Sequence, residues 1–123
     1  MQERPLQIAA LADGSISYVE KGTGTTVVFL HGIGSSARSW QAAFEKSPPD
    51  WHVMAWNAPG YPPSSPLQVE WPSASDYAER LKALLDACRI NTVHLVGHSL
   101  GCLMAASFAK LYPSRTKTLT LAS

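Results

Sequence analysis

Charge of one sign, cysteine and long apolar runs are all scarce in this chain, and each scarcity removes a class of function. Ten Lys and Arg stand against nine Asp and Glu, a formal net charge of +1 over 123 residues. No basic run stands out, whereas a nucleic-acid surface needs a clustered basic face, so no nucleic-acid partner is expected. The apolar stretches fall far short of the ~20 residues that span a bilayer, and no membrane partner is expected. The opening Met1-Gln2-Glu3-Arg4-Pro5 carries an acid and a proline where a secretory signal would place an apolar core. A cytoplasmic location is therefore the expectation. The two cysteines, Cys88 and Cys102, fit neither zinc nor CxxC spacing. Both are expected to be small buried hydrophobes on helix faces, and no metal or cofactor is expected. No internal repeat or low-complexity block interrupts the chain.

What is present suits a globular fold. Hydrophobic residues make up 46% and charged residues 15%, a balance that argues against disorder, and the length fits one domain over residues 1–123. Leu6 to Leu11 and Ser15 to Glu20 read as strands flanking an Asp13-Gly14 hairpin turn. Thr26 to Leu30 is a short β-branched and apolar run, as a strand covered on both faces would be. A short helix with Trp40 and Phe44 one turn apart follows, then a strand from Trp51 to Asn57. A surface loop rich in Pro and Ser, with Trp71 as its anchor, leads to the clearest helix, Ser73 to Arg89. There Tyr77, Leu81, Leu84, Leu85 and Cys88 form one stripe, and Ser73 with Asp76 fits a capping box. Thr92 to His98 is a buried strand, and Leu100 to Tyr112 a helix striped by Leu100, Leu103, Met104, Phe108 and Leu111. Lys117 to Ala122 closes the pattern as a strand. Strands alternating with helices predict an α/β fold: an antiparallel hairpin, then a mostly parallel sheet with helices on both faces.

One pentapeptide carries the chemistry. Gly97-His98-Ser99-Leu100-Gly101 is a GxSxG sequence. Alone it is weak; between an apolar strand and a helix start it has the setting of a nucleophile elbow. A serine hydroxyl is a poor nucleophile at neutral pH and must be held where a base can reach it. A sharp strand-to-helix turn exposes Ser99, and strand and helix then pack so closely that only glycine fits at Gly97 and Gly101. The helix start also presents free N–H groups and a partial positive charge, which makes the Leu100 N–H an oxyanion donor. His31-Gly32-Ile33-Gly34 follows another buried strand, and the Ile33 N–H is the natural second donor. His98 adjoins Ser99 but lies on the strand, where successive side chains point to opposite faces, so it is a poor base. His31 is expected to brace its loop, His52 to sit at a strand edge and His94 to pack within a strand.

Taken together, the HGxG loop at His31 to Gly34, Ser39-Trp40, Trp56-Asn57-Ala58-Pro59-Gly60-Tyr61, Val96 to Gly101 and Leu119 to Ser123 resemble the α/β-hydrolase family. Within it, the likeness is to bacterial esterases, lactonases and carbon–carbon bond hydrolases similar to 3-oxoadipate enol-lactonase. The resemblance implies Ser99 as nucleophile and the Ile33 and Leu100 N–H groups as the oxyanion hole. It also implies a small ester or lactone substrate cleaved through an acyl-enzyme. Carbon–carbon bond hydrolysis, acyl transfer and cofactor-free haloperoxidation are other chemistries of the same fold. Two departures stand out: Asn57 where the family usually has Asp, expected to loosen its loop, and Pro62 where it has glycine, expected to stiffen it.

The family order is Ser, then Asp or Glu, then His, yet no Asp, Glu or His follows Ser99. The resemblance therefore places the acid, the histidine, further strands and a cap outside this sequence. The chain is expected to be the N-terminal part of a hydrolase domain, with a C-terminal half as a possible partner. By itself it would be a weak enzyme, a binding module that kept the elbow as scaffold, or a remnant. Lys117 to Ala122 is expected to be an exposed sheet edge, which invites pairing or aggregation.

Overall fold

The computed structural model describes residues 4–122. Six strands form one sheet: β1 Gln7–Leu11, β2 Gly14–Lys21, β3 Thr25–Leu30, β4 Trp51–Trp56, β5 Val93–His98 and β6 Thr116–Ala122. Their spatial order is β1-β2-β4-β3-β5-β6. The first hairpin is antiparallel, β2 pairs antiparallel with β4, and β4, β3, β5 and β6 run parallel. The expected elements are all present. The hairpin turn sits one residue earlier than expected, because Leu11 pairs with Gly14 and leaves Ala12-Asp13 as the two-residue loop.

Each parallel crossover carries a helix. A 3-10 turn, Ala37–Trp40, and α1 Gln41–Lys46 link β3 to β4; α2 Ala74–Ala87 links β4 to β5; α3 Leu100–Leu111 links β5 to β6. Helices cover both faces, with a core cluster on each. Ala78, Leu81, Leu84, Leu85, Met104 and Phe108 pack on Val28, Leu30, Met54, Trp56 and Leu95 on one face. On the other, Ala37 and Phe44 pack on Val19, Val27, Phe29, Val53 and Ala55. Alternating strand residues feed the two clusters, as the strand period of two requires.

α2 shows why its sequence starts and stops where it does. Ser73 accepts from the Asp76 N–H, and the Asp76 carboxylate accepts from the Ser73 N–H, so two orphan donors are satisfied reciprocally. The helix ends on Arg89, which adopts φ 59°. The Ile90 N–H reaches the Leu85 carbonyl at 2.8 Å and the Arg89 N–H reaches that of Asp86 at 3.0 Å, which is a Schellman motif with arginine where glycine is usual. Arg115 braces the same corner, donating to the Ile90 and Asn91 carbonyls and pairing with Asp86 at 2.7 Å.

Several expectations need correction. Leu103 is 59% exposed and Leu111 is also exposed, so the buried face of α3 is Gly101, Met104, Ala105 and Phe108. The outer part of α3 lies over β6, beyond which no strand follows among the described residues. Trp71 is 85% exposed and anchors nothing. Asn57 does not loosen its loop: its side-chain oxygen accepts from the Ala37 N–H and its amide donates to Ser17 Oγ, at 2.9 and 2.8 Å. Both cysteines are half-buried where burial was expected; Cys88 packs against the core whereas Cys102 does not. Ser123 lies outside the described residues. β6 is the exposed edge that was expected, half-buried only at Thr116. No helix of the described residues is long and apolar enough to cross a membrane.

Candidate active site

Because β3, β4 and β5 are parallel, the loops after Leu30, Trp56 and His98 emerge at the same end of the sheet, where α/β sheets hold their functional crevice. Ser99 is the hinge between β5 and α3. It is exposed, with φ 55° and ψ −121°. A non-glycine residue there stores about 1–3 kcal/mol of strain. Serine at a helix start usually sits in extended backbone and caps the helix through its hydroxyl. Ser99 makes no side-chain cap, so helix capping does not account for it.

Close approach explains the neighbouring glycines. A Cβ on Gly97 would lie 2.6 Å from the Gly101 carbonyl oxygen, and one on Gly101 would lie 2.2 Å from that of Leu30. A Cβ on Gly32 would lie 2.8 Å from Ser99 Cβ and 3.3 Å from its Oγ. The His31–Gly34 loop thus touches Ser99, and the glycine at position 32 leaves the space over the hydroxyl open. The N–H groups of Ile33 and Leu100 meet no acceptor among the described residues. The Ile33 side chain stands 76% exposed at the rim. Expected site residues from both loops, Gly32, Gly97, Ser99 and Gly101, therefore converge.

The two histidines beside the site do different things. His31 is 1% exposed. Its Nδ1 donates to the Gly32 carbonyl at 2.8 Å, and its Nε2 accepts from the Ala58 N–H at 3.0 Å. These partners fix the neutral Nδ1–H tautomer and occupy both nitrogens. Burial pushes its pKa below the ordinary imidazole value, with the Gly32 carbonyl opposing. His31 is thus a strut joining the loop after β3 to the loop after β4, and Tyr61 packs edge-on against its ring at 4.7 Å. His98 is exposed, and its side chain has no hydrogen-bond partner among the described residues. Further away, His52 bonds Glu20 at 2.7 Å and Thr26 at 3.0 Å, and His94 bonds Thr118 at 2.7 Å.

Sequence reasoning missed the network that fixes the loop after β4. Asn57, Ser17 and Ser64 are all buried. Ser64 Oγ donates to the Asn57 carbonyl at 2.5 Å and accepts from the Ser17 N–H at 2.9 Å. The only local signal was Asn57 itself; its partners Ala37 and Ser17 lie 20 and 40 residues away, and Ser64 sits on an unpatterned loop. No group of three His, Cys, Asp or Glu able to hold a metal occurs among the described residues.

Comparison with known proteins places this arrangement. A family profile described as the alpha/beta hydrolase fold matches residues 25–123. A 2-hydroxy-6-oxo-6-phenylhexa-2,4-dienoate hydrolase of Comamonas testosteroni is 33% identical over 115 residues, which cover 90% of this chain and 40% of that protein. A 2-hydroxy-6-oxononadienedioate/2-hydroxy-6-oxononatrienedioate hydrolase of Dechloromonas aromatica (strain RCB) is 34% identical over 89% of this chain and 39% of its own length. Among solved structures, an epoxide hydrolase of Vigna radiata superposes with a TM-score of 0.86 at 24% identity, over 100% of this chain and 39% of that one, a likeness of fold alone. The chain therefore spans about 40% of the length of the curated relatives it matches. Profile, sheet order and elbow agree: the chain belongs to the α/β-hydrolase fold family.

Proposed function

We propose that this chain carries the nucleophile and the oxyanion-binding backbone of a serine hydrolase, with Ser99 attacking a carbonyl carbon. The observation behind this reading is the strained backbone of Ser99 at the β5–α3 turn, held against Gly32 with no capping role. Ser99 Oγ adds to the carbonyl carbon while its proton passes to a base. The carbonyl oxygen becomes an oxyanion received by the Ile33 and Leu100 N–H groups. One such donor is worth roughly 3 kcal/mol of transition-state stabilisation. Collapse expels the leaving alcohol with a proton and leaves an acyl-Ser99, which water hydrolyses. Neither His31, with both nitrogens engaged, nor His98 on the strand suits the base, and no histidine follows Ser99. The base and its acid would come from outside these residues. The first substrate class is a small carboxylic ester or lactone.

A second reading has a specific observation behind it. The relatives from Comamonas and Dechloromonas are named for dienoates bearing a 6-oxo group. Such substrates have a ketone and no ester linkage, so their hydrolysis must break a carbon–carbon bond next to that ketone. The same oxyanion site would serve, with an enolate carbon as the leaving group.

Fluorophosphonate treatment of source-cell extract, followed by peptide mass spectrometry, is expected to find the phosphonyl adduct on Ser99. The labelled species should be heavier than the 13.3 kDa of this chain. An unmodified Ser99 peptide in an extract whose other serine hydrolases are labelled would overturn the proposal. Turnover of a nitrophenyl ester against a 6-oxo dienoate by the same species, purified without fluorophosphonate, separates the two substrate readings.

A further inference from the structure

The two cysteines do different jobs. Cys88 packs against the main core cluster, and Cys102 belongs to neither cluster. Instead, Cys102 Sγ lies 3.2 Å from the carbonyl oxygen of Ala122 at the end of β6 and 3.3 Å from that of Gly97 on β5. Two acceptors therefore share one thiol proton. The same Ala122 carbonyl accepts the Ser99 N–H at 3.2 Å, and the Cys102 N–H donates to the Ser99 carbonyl at 2.9 Å. Cys102 is tied to Ser99 twice: directly through the first turn of α3, and through the strand end on which the Ser99 amide rests.

We infer that Cys102 is a positioning residue, whose thiol holds the Ala122 carbonyl on the Ser99 N–H and so fixes the elbow against β6. The functional consequence rests on reading Ser99 as the nucleophile; the clamp itself does not. Three facts support it. A strained turn persists only when its surroundings over-determine it, and Ser99 lacks the side-chain cap that would hold an ordinary helix start. The described residues of β6 are almost all exposed, so the end of the strand is held by hydrogen bonds more than by apolar packing. A half-buried small residue whose role was apolar filling would pack on a core cluster, whereas Cys102 faces two carbonyl oxygens. The thiol thus couples the end of β6 to the strained Ser99.

The clamp is read by amide hydrogen exchange in the 123-residue chain. Cys102→Ala removes the donor and keeps a strong helix former. The Ser99 amide is expected to exchange about fivefold faster, the scale of one lost hydrogen bond, while amides of Val28 and Met54 in the central strands hold their rates. Cys102→Ser restores a donor and is expected to bring the Ser99 amide back towards the parent rate. In a Cys88→Ala background, S-methylthiolation of Cys102 in the folded protein removes the thiol proton without refolding and is expected to match Cys102→Ala. In the fluorophosphonate-reactive species, phosphonylation of Ser99 should slow in Cys102→Ala and recover in Cys102→Ser. An unchanged Ser99 amide in both Cys102→Ala and the methylthiolated protein overturns the inference, as does failure of Cys102→Ser to restore it at parental global stability. Absence of phosphonylation in the parent would refute the nucleophile reading alone, since amide exchange still decides the clamp.

Discussion

Among the described residues two non-glycine residues have a positive φ, Arg89 at 59° and Ser99 at 55°; one stands where α2 ends and the other where α3 begins. At Arg89 the conformation has a complete structural explanation. It closes a Schellman motif, satisfies two carbonyls of the last helical turn and seats Ile90 against the core. The side chain contributes nothing to that geometry, and glycine would serve better. At Ser99 no such explanation is found among the described residues: the side chain caps nothing, a Cβ on Gly101 would lie 2.2 Å from a backbone oxygen, and the Ile33 and Leu100 N–H groups meet no acceptor there. A positive φ is therefore not by itself a mark of function. It supports a functional reading when the local hydrogen bonds leave it unaccounted for and the surroundings are built to tolerate it.

The comparison can be broken most forcefully at Gly101. Gly101→Ala places a Cβ 2.2 Å from a backbone oxygen, which only a shift of α3 away from the sheet can relieve. A loss of about 3 kcal/mol in urea unfolding is expected, and a loss near zero would mean the elbow is not packed as described. The next test relieves strain where it is read as functional. Ser99→Gly is expected to raise stability by about 1–2 kcal/mol, the strain stored at such a position, and to abolish fluorophosphonate labelling. Arg89→Gly is the matched control. It should raise stability by about 1 kcal/mol and leave labelling of the reactive species at the parent rate; a fall in labelling would erase the distinction between the two sites.

The smallest effect concerns the strut beside the elbow. The folded pKa of His31 lies below its ordinary value of 6.5, chiefly because it is buried. The unfolded chain therefore binds a proton at higher pH than the folded one. His31 contributes stability that is complete above about pH 6.5 and is lost as pH falls towards the folded value. Urea titrations from pH 7.5 to 5 should show declining stability in the parent and a shallower decline in His31→Asn. Parallel curves would show that the imidazole is not held neutral.

How much of this was legible in the sequence differs from element to element. α2 could be read almost to the residue, because a capping box and an apolar stripe are local signals that its environment then left alone. The elbow could be read because a GxSxG pentapeptide between an apolar strand and a helix start is a local pattern, although the contact that forces glycine at position 101 is with Leu30 on β3. Leu103 and Leu111 were misjudged because helical spacing identifies an apolar face but not whether a strand lies beneath it. The same limit appears in β3 and β6, which flank β5 on either side. Both are β-branched and apolar, yet β3 is almost wholly buried and β6 almost wholly exposed.

The sequence by itself determined the order and type of the elements, the place of the strained serine and the glycines that make room for it. These are carried by local patterns of residue type, even where the contact that enforces one of them, such as Gly101 against Leu30, is distant in the chain. Only the tertiary structure decided that His31 is a neutral strut on Ala58, that Asn57 is locked to Ser17 and Ala37, and that Cys102 faces the end of β6. Each of those bonds joins groups 20 to 40 residues apart. No local pattern encodes them, because their partners become neighbours only once the sheet order is set.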